Sequence, residues 1–151
     1  MENDIKDVVS KVKDELSLVN ETAGLCYYAS NNVLFDLDYR GIDSFVFNVR
    51  ELCDIDYDHY FVLANKDEKN KYLIDLTYSQ FLEKNDKPRF FEKWPGVILK
   101  ESIEGKKILD NLTNNGYLLV DDNDFYIYLK SFNPNLEMFF TLDDLVPLKT
   151  R

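Results

Sequence analysis

Residues 59–64, which read HYFVLA, place apolar side chains on both faces of an extended chain. Because a strand of this kind is buried on both sides, the fold has to supply a covering layer for each face of the sheet. A polar turn, NKDEKNK, follows, and residues 72–77, YLIDLT, predict the returning strand of a β-hairpin. This hairpin is the centre of the predicted fold.

Helical periodicity supplies the covering layers. Apolar stripes predict one helix over residues 4–19 and a second from Cys26 to Gly41. Further elements are a strand over 43–50, a helix over 102–114, a short YLLV segment, a stretch over 122–132 that favours helix over strand, and one helical turn in TLDDLVPL. The sequence therefore predicts an α+β fold, with N-terminal helices packed on an antiparallel sheet of at least three strands and C-terminal helices flanking it.

Size and charge limit the function classes. A chain of 151 residues suits one domain, spanning 1–151. Its net charge of -10 disfavours nucleic acid and anionic membranes, which would repel it. The absence of a membrane-length apolar run and of a signal-peptide core predicts a cytoplasmic protein, or one delivered into a target cell by a specialised secretion route. Without metal-ligand spacing or a Gly-rich phosphate loop, no cofactor is expected.

The chain has one histidine, His59, so any imidazole chemistry must use it. If the hairpin is centred near Asp67, Asp75 stands directly opposite His59 on the same face of the sheet. The carboxylate would then orient the ring and favour its charged form. A register shifted by one residue would place the two side chains on opposite faces.

A thiol stands at the predicted start of the second helix. The partial positive charge and free N–H groups at a helix N-terminus stabilise a thiolate, so Cys26 is a candidate nucleophile. The same N–H groups can receive an oxyanion. Cys53, in the acidic context ELCDID, would have its thiolate disfavoured by Asp54 and Asp56, which indicates a structural role.

Three segments carry a resemblance to a known superfamily: GLCYYASNNVLFDL, DHYFVLA and YLIDLTYSQF, within Gly24 to Phe81. In this order they resemble the papain-like and transglutaminase-like cysteine enzymes. The resemblance implies that Cys26 is the nucleophile, His59 the general base and Asp75 the group that orients it. Asn20 stands where papain-like proteases carry a glutamine oxyanion donor, and because Asn is shorter, the Cys26 backbone N–H is the stronger candidate.

Some members of this superfamily are bacterial toxins or effectors, including glutamine deamidases. The resemblance therefore implies a protein substrate attacked at a carboxamide or peptide bond, with deamidation ranked first, peptidase activity second and transglutamination third. It also implies a cognate inhibitor or immunity protein as a partner.

Structural readings compete with each of these assignments. Cysteine and histidine are often ordinary core residues, and an acidic domain on the same scaffold can act as a non-catalytic protein-binding or inhibitor module. The aromatic residues Phe90, Phe91 and Trp94 either line a substrate groove or cover the sheet, and covering is the favoured interpretation. Alkylation of Cys26 distinguishes an enzyme from a binding module, because only in an enzyme should it be selective and depend on His59.

Overall fold

The computed structural model describes residues 2–18, 25–65, 70–137 and 141–145. Within these residues the chain forms seven α-helices and four β-strands. In chain order they are α1 (Glu2–Leu16), α2 (Cys26–Tyr39), β1 (Asp43–Asn48), α3 (Val49–Cys53), β2 (Tyr60–Asn65), β3 (Lys71–Ile74), α4 (Pro95–Leu99), α5 (Ile103–Asn114), β4 (Tyr117–Val120), α6 (Asp122–Lys130) and α7 (Leu142–Leu145), with a 3-10 turn at Tyr78–Phe81. The predicted α+β class is confirmed.

The four strands form one antiparallel sheet in the order β1-β2-β3-β4, so each strand pairs with its neighbours in the sequence. In the central hairpin Leu63 pairs with Leu73. The predicted centre near Asp67 was therefore wrong by one residue, because it would have paired Leu63 with Lys71. The shift in pairing is two residues, and since side chains alternate with a period of two, His59 and Asp75 still belong to the same face.

Both faces of the sheet are buried, as the apolar pattern of β2 predicted. Phe61, Leu63 and Leu73 pack against α5 and α6 on one face. On the other face, Val62 and Ile74 pack against α1 and α2. The N-terminal and C-terminal helices thus form separate layers on opposite sides of the sheet, which is the covering that a doubly buried strand requires.

The structure differs from the sequence prediction after β1. The predicted strand extended to Arg50, but β1 ends at Asn48 and the short helix α3 begins at Val49. The Asn48 side chain accepts a hydrogen bond from the Arg50 N–H and so caps α3. Asp54, at φ 52°, ends this helix in the left-handed conformation.

The other predicted elements are present in the described residues, although the strand predicted over 72–77 ends at Ile74. The stretch over 122–132, for which a helix was favoured, contains α6, and the Asp121 side chain caps this helix by accepting from the Asp124 N–H. TLDDLVPL contains the helical turn α7. Tip residues 66–69 of the hairpin lie outside the described residues. None of the described helices combines the length and apolar character needed to cross a bilayer.

Gly116 ends α5 at φ +82°, and a Cβ built there would lie 2.5 Å from Leu76 Cδ2. Gly41 ends α2 at φ +74° with no atom within 4 Å of such a Cβ. Gly41→Ala should therefore cost only the backbone strain, about 1 kcal/mol, whereas Gly116→Ala should cost about 1 kcal/mol more, because the flexible Leu76 side chain has to leave its preferred rotamer. Urea titration of both variants measures the difference, and equal losses would contradict it.

Candidate active site

Cys26 is the first residue of α2, and Leu25 is its N-cap. The first hydrogen bond of the helix runs from the Ala29 N–H to the Leu25 carbonyl, so the N–H groups of Cys26 and the next two residues lack partners within the helix. No side chain among the described residues caps this helix end. The thiol thus stands at the positive end of the helix dipole, beside backbone donors that have no partner within the helix.

His59 directly precedes β2, and both its backbone N–H and its backbone carbonyl form hydrogen bonds. Its N–H donates to Asn48 Oδ1 at 3.2 Å, and its carbonyl accepts from the Val49 N–H at 2.7 Å. The imidazole is fully buried and packs against the rings of Phe81 and Phe132, with centroids 4.7 and 5.5 Å away. The ring therefore has little freedom to reorient.

Asp75 directly follows β3 and accepts three hydrogen bonds. His59 Nε2 lies 2.7 Å from Asp75 Oδ2, and the Tyr128 hydroxyl donates to the same oxygen at 2.7 Å. The Thr77 N–H donates to Asp75 Oδ1 at 3.2 Å. These donors compensate for the removal of the carboxylate from water, which explains why a charged residue is tolerated here.

Cys26 and His59 meet at the end of the sheet where β2 begins and β3 ends. The Cys26 thiol and the His59 ring are close enough for each to shift the pKa of the other, and the Tyr60 backbone N–H also lowers the pKa of the thiol. Because α2 covers one face of the sheet and the His59 ring packs on the other, this contact joins the two layers around the strand ends. The structure thus brings the three predicted residues together.

The electrostatics favour a thiolate and an imidazolium. Burial raises the pKa of the Cys26 thiol, but the hydrogen bond and charge of His59, with the Tyr60 N–H, outweigh burial and bring it below the ordinary 9.0. Burial lowers the pKa of His59, whereas the charge and hydrogen bond of Asp75, followed by those of Cys26, raise it to about 9. Between these two pKa values the pair carries opposite charges.

Sequence reasoning missed two groups of this site. Tyr128 lies on the buried face of α6, so its position in the sequence suggests a core residue. A buried hydroxyl nevertheless needs a hydrogen-bond partner, and Asp75, the carboxylate in an apolar strand, is that partner. Gln80 lies in the 3-10 turn, with Nε2 at 3.4 Å from His59 Nδ1 and also at 3.4 Å from Thr77 Oγ1. No periodic signal marks Gln80, because the turn that positions it is irregular.

Two other predictions concern residues beside this centre. Asn20, the weak candidate for an oxyanion donor, lies outside the described residues. Cys53 is fully buried, and its Sγ donates to the Leu129 carbonyl at 3.5 Å, which agrees with a structural role. The predicted cause was wrong: burial, and not the adjacent aspartates, raises the Cys53 pKa to about 12.

Comparisons with protein-family models, with curated proteins and with solved structures find no significant match to this chain. The papain-like core therefore remains a proposal. Among the described residues, no cluster of three or more His, Cys, Asp or Glu side chains is arranged to hold a metal ion.

Alkylation with iodoacetamide should distinguish the two thiols. Cys26 should react at neutral pH, because its pKa lies below 9.0, and its rate should rise as pH climbs through that lowered value. His59→Ala removes the hydrogen bond and the charge while burial persists, so the rate at neutral pH should fall by about tenfold or more, the thiolate loss for one pKa unit. Mass spectrometry of labelled peptides gives both rates.

Cys53 serves as the internal control for this measurement. Its raised pKa and full burial predict no labelling until the protein is denatured. Equal labelling of both thiols in the native protein, or an unchanged rate in His59→Ala, would contradict the ion pair.

Tyr128→Phe should destabilise the fold by about 1.5–3 kcal/mol, because it deletes a buried hydrogen bond to a charged group without changing the ring. Tyr126→Phe, on the same helix, is the matched control: its hydroxyl donates to the neutral Leu136 carbonyl at 2.8 Å in a partly buried position, so about 1 kcal/mol is expected. Free energies of unfolding from urea titration test the difference. Equal losses would show that the Asp75 contact is not stronger than an ordinary one.

Proposed function

We propose that this chain is a thiol hydrolase with a papain-like core, in which Cys26, His59 and Asp75 act as nucleophile, acid–base group and orienting group. The observation that carries the proposal is the buried His59–Asp75 hydrogen bond, with Nε2 and Oδ2 separated by 2.7 Å, beside a Cys26 thiol whose pKa His59 lowers. A nucleophile, a base within hydrogen-bond reach and a third group that orients the base are the parts that such chemistry requires.

In the first step the Cys26 thiolate attacks the carbonyl carbon of an amide and forms a carbon–sulfur bond. Negative charge develops on the carbonyl oxygen, and we assign its stabilisation to the backbone N–H of Cys26, which has no partner within α2. As the tetrahedral intermediate collapses, the carbon–nitrogen bond breaks and the His59 imidazolium protonates the leaving nitrogen. Ammonia leaves from a side-chain amide, and an amine leaves from a peptide bond.

In the second step water hydrolyses the thioester. Neutral His59 takes a proton from the water, the carbon–sulfur bond breaks, and the carboxylic acid and the Cys26 thiolate are released. Asp75 remains ionised and keeps the ring oriented, while Tyr128 and the Thr77 N–H hold Asp75 itself in place. The histidine is therefore proton donor in one step and proton acceptor in the next.

Among the amide-cleaving activities we rank glutamine deamidation first, peptide-bond cleavage second and transglutamination third. A cavity of about 180 Å³ adjoins His59 through Gln80, and it is smaller than the roughly 300–1,000 Å³ of ordinary ligand sites. This size suits one side chain of a substrate beside the reacting amide. The substrate we propose is a protein, and a toxin or effector role with a cognate immunity protein is part of the same proposal.

A peptide library derived from a cell lysate separates the three activities in one experiment. Deamidation converts glutamine into glutamate, peptidase activity creates new N-termini, and transglutamination attaches an added amine, all of which mass spectrometry detects. Cys26→Ala should abolish the products, and His59→Ala should reduce their rate by about 10²–10⁴-fold. Equal product formation by the Cys26→Ala variant would refute the proposal.

The pH profile of the same reaction gives a second test. Activity should rise as Cys26 ionises below pH 9.0 and fall as His59 loses its proton near pH 9. Asp75→Asn removes the charge that raises the His59 pKa, so the falling limb should move to lower pH. Asp56→Asn, at an exposed carboxylate outside the site, is the matched control and should leave both limbs unchanged.

A second candidate function is a non-catalytic protein-binding module, which the surface of α2 favours. Tyr28, Phe35 and Tyr39 are 53, 73 and 88% exposed on this helix. Exposed aromatic side chains are enriched at protein interfaces. Retention of the biological effect by Cys26→Ala would support binding, whereas its loss with partner affinity intact would support catalysis.

A further inference from the structure

A small aromatic cavity lies beside the proposed catalytic residues. It has a volume of about 180 Å³, and the rings of Tyr57, Phe90, Phe91 and Trp94 contribute to its lining. Tyr57 is central to the ring contacts, with centroids 5.0 Å from Phe90 and 5.6 Å from Phe91. Phe91 also packs on the core through Phe81 and Phe132, whereas Phe90 is 46% exposed. The aromatic segment therefore both covers the core and forms a cavity.

The cavity adjoins the site through Gln80, which lines the cavity and faces His59. Gln80 lines the cavity, and its Nε2 lies 3.4 Å from His59 Nδ1. Tyr57 lines it too and donates its hydroxyl to Gln80 Oε1 at 3.0 Å. Burial, and then the negative charge of Cys26, raises the pKa of Tyr57. A group seated in the cavity would thus be separated from His59 by the Gln80 side chain.

The charged residues of the cavity are all cationic, in a chain whose net charge is -10. Lys84 Nζ stands 5.0 Å from the centroid of the Trp94 ring, and Arg89 Cζ stands 5.5 Å from that of Phe90. Neither cation forms an ion pair with any residue of the described ranges. Two cations that lack an ion pair within the described ranges and stand over a largely apolar cavity complement a ligand that has an apolar group next to an anion.

We propose that this cavity is a substrate subsite that takes one aromatic or large aliphatic side chain of a polypeptide, with Lys84 and Arg89 binding an adjacent acidic residue. This inference rests on the proposed function for the identity of the reacting amide. The size of the cavity admits one side chain, and its aromatic lining provides the apolar contacts. Lys84 and Arg89 contribute to specificity, because they attract an acidic neighbour and repel a basic one.

Binding can be measured without catalysis in the Cys26→Ala variant, which cannot form a thioester. Trp94 is the only tryptophan of the chain and lines the cavity, so its fluorescence reports occupancy. The probe is acetyl-phenylalanyl-glutamyl-glutamine amide. Its two controls replace the phenylalanyl unit by alanyl or the glutamyl unit by lysyl. The probe should bind about tenfold tighter than either control.

Charge-reversed variants test the two cations directly. Lys84→Glu combined with Arg89→Glu should remove the preference for the glutamyl over the lysyl peptide, and both positions are exposed, so the fold should tolerate the change. Lys87→Glu is the matched control on the same loop, at an exposed position that does not line the cavity, and it should keep the preference. Phe90→Ala should weaken the phenylalanyl peptide alone.

The outcomes separate this inference from the proposed function. Equal binding of the three peptides, absence of binding, or a preference unchanged by the double reversal would overturn the subsite, even if the native enzyme deamidates library peptides. Selective binding that the double reversal abolishes would support the subsite, even if the native enzyme leaves the library unchanged and the proposed function fails.

Discussion

The hydrogen bond between the His59 imidazole and the Asp75 carboxylate joins two side chains that are both removed from water. Burying either group alone would cost several kcal/mol, so each requires the other. Tyr128 and the Thr77 N–H supply the remaining donors to the carboxylate, and through Tyr128 the pair connects the sheet to α6. The central hairpin and the C-terminal helices are therefore bound together by polar contacts as well as by apolar packing.

This pair also determines the state of the sulfur. Because Asp75 raises the pKa of His59, the ring can remain protonated beside Cys26, and the protonated ring in turn lowers the pKa of the thiol. The start of α2 adds free N–H groups at the same point. The ionisation of the sulfur thus depends on a carboxylate that acts through the imidazole.

Much of the fold was predictable because the apolar periodicities were unambiguous. The stripes of α1 and α2 and the doubly apolar β2 each indicated their element, and together they required helices on both faces of the sheet. The errors were local. The helix α3 depends on the Asn48 cap, but Asn48 was predicted to lie inside a strand that ended at Arg50. The hairpin register depends on a turn whose polar residues do not specify one geometry.

The sequence by itself determined which residue types were available. It also determined that His59 and Asp75 share a face of the sheet, because side chains alternate with a period of two and a register shift of two residues leaves the face unchanged. It singled out Cys26 at a helix start and the only histidine of the chain. Only the tertiary structure decided that these two side chains meet, because a helix and a hairpin approach each other through packing that no spacing encodes. It also decided that Tyr128 contacts Asp75 and that Gln80 contacts His59. The first contact joins elements far apart in the chain, and the second depends on an irregular turn.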